Sequence, residues 1–180
     1  MIDFQKLADS VKYYEERGFT RIESPWTVSK AASAITKPAE ALDYELVHNG
    51  KVLVASGEQS FLYLYMKGFL PLGRYQTITP CFRNDAFDVT HSKYFMKNEL
   101  IITDEVNEDE LLNVVDICRR FFQQYIPGKV ERVETPQGYD LEYAGRELGS
   151  YGIRQCEFIT WIYATGCAEP RLSTLSKCAL

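Results

Sequence analysis

Two strand-like runs flank one short polar loop, and they constrain the chain more than any other feature. The first run, RYQTITPCFRND, covers residues 74–85. The second, KYFMKNELIIT, covers residues 93–103, and AFDVTH lies in the loop between them. Parallel neighbours need a crossover of about a dozen residues or more, usually a helix, so these runs are expected to pair antiparallel. Side chains alternate between the two faces of a strand. In the first run Gln76, Ile78, Pro80 and Phe82 share one face, and Tyr75, Thr77, Thr79, Cys81 and Arg83 share the other. In the second, Tyr94, Met96, Leu100 and Ile102 suit a core face that Asn98 interrupts, with Phe95, Lys97, Glu99 and Ile101 opposite. One sheet surface therefore presents Arg83, Lys97, Glu99 and an aromatic ring. A guanidinium fork matches phosphate oxygens, and a flat ring can stack on a base. The same residues also suit an ordinary solvated sheet face with an Arg–Glu pair. The strands alone leave both readings open.

The rest of the chain supplies the layers. Phe4, Leu7, Ala8, Val11 and Tyr14 recur at helical spacing within residues 3–17, and Gly18 follows as a stop. Residues 19–24 read as a short strand ending at Pro25. Residues 26–42 are ambiguous between helix and loop. Residues 44–47 and 51–55 flank Asn49-Gly50, a hairpin signal. Residues 58–68 read as a helix. Residues 104–124 place Leu111, Val114, Val115, Cys118, Phe121 and Phe122 on one helical face. Segments 129–134, 139–143, 146–154 and 155–165 read as strands, with Ala144-Gly145 turning the second into the third. A short helix begins near Glu169. Consecutive strands joined by turns imply an α+β domain, an antiparallel sheet with helices packed on one face.

Composition excludes several classes. No apolar run approaches the roughly 20 residues of a membrane span. The first residues, MIDFQKLADS, lack the apolar stretch of a signal peptide. A cytoplasmic protein is expected, with no membrane partner. The five cysteines are odd in number and none has CxxC spacing, which speaks for reduced thiols rather than disulfides or a zinc knuckle. The net charge is -5 and no Lys/Arg run stands out, so charge gives no support for a nucleic-acid partner.

Three stretches resemble the motifs of class II aminoacyl-tRNA synthetases, in the family's order and over nearly the whole chain. EERGFTRIESPW resembles motif 1, a helix, a strand and a proline, with Gly18, Phe19 and Pro25. The resemblance implies a homodimer interface there. TITPCFRNDAFDVTHSKYFMKNEL resembles motif 2, seryl-like in its Thr-Pro-Cys-Phe-Arg and phenylalanyl-like from Asp88 to Ser92. It implies that Arg83 grips the α-phosphate of ATP, Asp85 sits beside the adenine or amino group, His91 meets the outer phosphates and Phe95 stacks on adenine. DLEYAGRELGSYGIR is similar to the acidic hairpin before motif 3, and to ammonia-dependent asparagine synthetase. It implies that Glu147, with Ser150 nearby, holds Mg2+. ATGCAEPRL resembles motif 3, with Arg171 as the γ-phosphate arginine and Pro170 where the family has an acidic residue. ASGEQSF, residues 55–61, is similar to the stretch that contacts the amino acid, implying Glu58 and Gln59 as ligands, joined by Gln155 and Glu157.

The resemblance implies one catalytic domain over 1–180, without an anticodon-binding domain. Its expected chemistry is ATP-dependent activation of an amino-acid carboxylate through an acyl-adenylate, with ATP and Mg2+ as cofactors and tRNA or another molecule as acceptor. The alternatives are an impaired paralogue that binds a nucleotide, an amino acid or a protein, an amide-forming ligase like asparagine synthetase, and a structural subunit of a larger enzyme.

Overall fold

The computed structural model describes residues 1–83 and 94–177. Helix α1 (Phe4–Glu15) starts at Asp3, whose carboxylate accepts from the Gln5 and Lys6 backbone N–H groups. Strand β1 (Thr20–Arg21) follows, then β2 (Thr27–Ser29), α2 (Lys30–Ala34) and β3 (Lys51–Leu53). Next come α3 (Gly57–Met66), β4 (Arg74–Phe82) and β5 (Tyr94–Ile102). Helix α4 (Glu108–Gln123) is capped by Asn107, with three acids in its first turn and Arg120 in its last, the charge order its dipole favours. The chain continues through β6 (Glu131–Thr135), β7 (Gly138–Tyr143), β8 (Arg146–Cys156), β9 (Ile159–Glu169) and α5 (Arg171–Leu175).

The main sheet has seven strands in the order β1-β4-β5-β9-β8-β7-β6. Its pairs are antiparallel except the short parallel contact of β1 with β4. The expected 74–85/93–103 pair is the β4–β5 ladder, with Cys81 opposite Phe95. Ala144 and Gly145 both have positive φ, 52° and 69°, as a tight type I′ turn between β7 and β8 requires. The Asn49-Gly50 hairpin forms only in part: Glu45 bridges Val52, while β3 takes β2 as its ladder partner.

Helices cover both faces of the sheet rather than one. On one face, Leu7 and Tyr14 of α1 and the Leu111-to-Phe122 stripe of α4 pack on Leu100, Ile102, Ile162 and Ala164. Each large side chain buried there contributes about 1.5–3 kcal/mol. On the other face, Phe61 and Leu62 of α3 pack on Ile101 and Trp161. The start of α3 also lies over β4, so Thr77, Thr79 and Cys81 are buried rather than solvated. Asn98, the polar break in the core face, donates to Ser10 Oγ and Gln76 Oε1, both at 3.0 Å. Gln76 in turn donates to the Val11 and Phe19 carbonyls, so this polar bridge fastens α1 to the sheet. Among the described residues no helix is long and apolar enough to cross a membrane. Cys81, Cys118, Cys156 and Cys167 are free thiols.

Candidate active site

Past α3 no other described residues cover the sheet face, which forms the floor of a cavity of about 1110 Å³. Arg83, at the end of β4, and Phe95, on β5, stand at one side of it. They lie two residues apart in register on one face, and the guanidinium carbon sits 5.2 Å from the ring centroid. Arg83 Nε donates to the Ala55 carbonyl at 3.2 Å, which fixes the side chain toward the cavity.

Farther along the same face, Glu99 is buried and heavily partnered. It accepts from Ser56 Oγ at 2.6 Å, Lys97 Nζ at 2.8 Å and the Gly57 N–H. Burial pushes its carboxyl up, but the Lys97 ammonium and these hydrogen bonds outweigh burial and hold it below its ordinary value. The Arg–Glu pair read from the strands is thus a Lys97–Glu99 pair. Deeper, Glu58 on α3 accepts from Arg154 Nη1 at 2.5 Å and Trp161 Nε1 at 2.6 Å. Burial raises its carboxyl against the pull of Arg154 and Trp161. The Arg154 guanidinium lies 4.1 Å from the Tyr163 ring centroid. Gln59 accepts from the Ala55 N–H at 2.8 Å and donates to the Ser33 carbonyl at 3.2 Å.

At the opposite side, Glu147 on β8 pairs with Arg171 of α5 at 2.5 Å. Asp140 on β7 faces Ser150 across the ladder. Burial raises the Asp140 carboxyl; the Ser150 hydrogen bond lowers it, the Glu147 charge raises it again and Arg171 lowers it. Two carboxylates and a hydroxyl are hard oxygen donors. Among the described residues no group of three or more His, Cys, Asp or Glu gathers as a metal cage. Such a two-carboxylate set fits Mg2+, which keeps waters and takes the rest of its shell from phosphates.

The cavity brings together Arg83, Phe95, Glu147, Ser150, Arg171, Glu58 and Gln59. Gln155 and Glu157 are exposed near the β8–β9 turn and do not line it. Gly18, Phe19 and Pro25 also lie elsewhere. Phe19 is buried in its own core, with its ring 6.0 Å from Tyr14, while Gly18 is exposed and the Pro25 carbonyl accepts from Ser60. Asp85 and His91 lie outside the described residues. Reading by motif passed over Asp140, Arg154 and Tyr163. The only advance signal was the acid that opens the acidic hairpin and the arginine that closes it.

The family model for tRNA synthetases class II (D, K and N) matches residues 4–145. The chain belongs to the class II tRNA synthetase family. No curated protein matches this synthetase-family chain in sequence. Among solved structures it resembles pyrrolysyl-tRNA synthetase from Desulfitobacterium hafniense, with a TM-score of 0.74 and 16% identity over 95% of this chain and 68% of that one. It also resembles seryl-tRNA synthetase from Pyrococcus horikoshii, complexed with ATP, with a TM-score of 0.75 and 18% identity over 92% and 48%. Cytoplasmic serine-tRNA ligase from Naegleria fowleri, in complex with AMP, gives 0.72 and 18% over 96% and 52%. At these identities the likeness is one of fold. The chain spans about half the length of the two seryl proteins.

Proposed function

We propose that this cavity activates an amino-acid carboxylate with ATP. The carboxylate oxygen attacks the α-phosphorus, the bond to the bridging β-oxygen breaks, and an acyl-adenylate and pyrophosphate result. The supporting observation is the placement of Arg83 over Phe95 on the floor that also carries Glu147 and Arg171. A ring that stacks on adenine beside a guanidinium that holds the α-phosphate leaves the outer phosphates to run toward Arg171. Arg83 stabilises the charge that develops on the α-phosphate oxygens, and no protein nucleophile is needed. Asp140, Glu147 and Ser150 are the residues that would hold Mg2+, which when bound offsets phosphate charge. Glu58 and Arg154 form the polar wall that the amino acid meets, and Gln59 holds the Ala55 segment on which Arg83 rests.

A second reading is a nucleotide-binding module without transfer. It is favoured by the way Glu58 and Gln59, the expected amino-acid ligands, spend their polar atoms on Arg154, Trp161, Ala55 and Ser33. ATP–pyrophosphate exchange with each of the twenty amino acids separates the two. Activation gives exchange with one amino acid or a small set, reduced about 100- to 1000-fold in Arg83→Ala. ATP binding with no exchange across the panel selects the binding module.

A further inference from the structure

We propose that Arg171 is an internal counter-cation for the Asp140–Glu147 carboxylate pair, so that a divalent metal and a nucleoside triphosphate open the same clasp and bind cooperatively. The proposal rests on the adenylation reading only for the identity of the nucleotide. Arg171 Nη1 lies 2.5 Å from Glu147 Oε1, and both side chains are only part-exposed, 33% and 41%. Asp140 lines the same cavity, in register with Ser150. The guanidinium therefore stands where a hard cation on Glu147 would need the carboxylate's lone pairs, and its charge repels that cation. A terminal phosphate offers Arg171 a better-charged partner with the same fork geometry. Drawing Arg171 onto the phosphate frees Glu147 for metal. By linkage, metal on Glu147 releases Arg171 for phosphate, and each ligand raises the affinity of the other by the same factor. Arg171 opens α5, separated from the end of β9 by Pro170, so its side chain can turn from one partner to the other without moving the sheet.

Mn2+ is a suitable probe, with the free ion counted by electron paramagnetic resonance on the whole chain. Without nucleotide, Arg171→Gln is expected to bind Mn2+ roughly five-fold or more tightly than the wild type, and Glu147→Gln to lose binding. Arg146→Gln removes another cavity cation and is expected to gain far less. A non-hydrolysable ATP analogue should tighten Mn2+ binding more in the wild type than in Arg171→Gln. Equal or weaker Mn2+ binding by Arg171→Gln, no binding by either protein, or an equal gain in Arg146→Gln overturns the clasp. Thermal melts confirm that each variant is folded, and Arg171→Met, with the same expectation, replaces Arg171→Gln if that variant is not. Failure of the analogue to bind, with the gain in Arg171→Gln intact, leaves the clasp standing and removes the ATP reading instead.

Discussion

Glu99 shows what a single residue contributes at the centre of this site. A carboxylate with 5% exposure carries a heavy desolvation cost unless donors surround it. Here Lys97, Ser56 and the Gly57 N–H surround it. Its pKa in the fold lies below the ordinary 4.5, because those partners together outweigh burial. The folded state therefore binds its proton less readily than the unfolded chain. The stability that Glu99 contributes is complete above pH 4.5 and is lost as pH falls through the depressed value. Glu99→Gln should be less stable than the wild type at neutral pH, and the gap should narrow under acid. Melting temperatures of both proteins across acidic buffers measure it, and a gap that stays constant through the acid range would contradict the sign.

At the scale of elements, the start of α3 is pressed onto β4 and β5. A Cβ on Gly57 would stand 2.9 Å from Thr79 Oγ1, 3.0 Å from Glu99 Oε2 and 3.2 Å from Thr77 Cγ2. Gly57→Ala is thus overpacking and should cost about 1–3 kcal/mol, read as a melting point lower by about 2–12 °C. A melting point unchanged or raised would mean that α3 does not seat here as described. The elements themselves were largely legible beforehand, because α4 carries a long single-faced stripe and β4 and β5 alternate cleanly. Face alternation made the site legible only where its residues keep strand parity, as Phe95 and Glu99 do; Glu147, Ser150 and Arg171 were legible through the motif resemblance. Glu147 and Ser150 are three apart, and a regular strand would turn them to opposite faces. An irregularity in the β7–β8 ladder between Leu141 and Glu142 lets both line the cavity and puts Asp140 opposite Ser150. A continuous two-residue hairpin would have put Asp140 opposite Gly149. A bulge is not written in residue type, which is why Asp140 was missed. The boundary between the last two strands was misread for a related reason, since the turn falls at Glu157 and Phe158 with neither glycine nor proline to mark it.

Across the whole molecule, the sheet separates the larger core from the candidate site. Its α1/α4 face holds most of the large buried side chains, and its other face holds α3 and the cavity. Strand β9 alternates between the two: Ile162 is fully buried in the α1/α4 core, while the next residue, Tyr163, lines the cavity beneath Arg154. If the faces are independent, trimming one methyl group from the core side should be felt as stability alone. Ile162→Val should cost about 0.5–1.5 kcal/mol, a melting point lower by roughly 1–6 °C. Its affinity for an ATP analogue, measured well below the melting point, should stay at the wild-type value. Arg83→Ala should do the reverse, leaving the melting point nearly unchanged and weakening the analogue. Both quantities come from the same two proteins by calorimetry and nucleotide titration. A core variant that loses nucleotide affinity in step with its stability would show that the floor shifts when the core is repacked, and the two faces would then have to be treated as one mechanical unit.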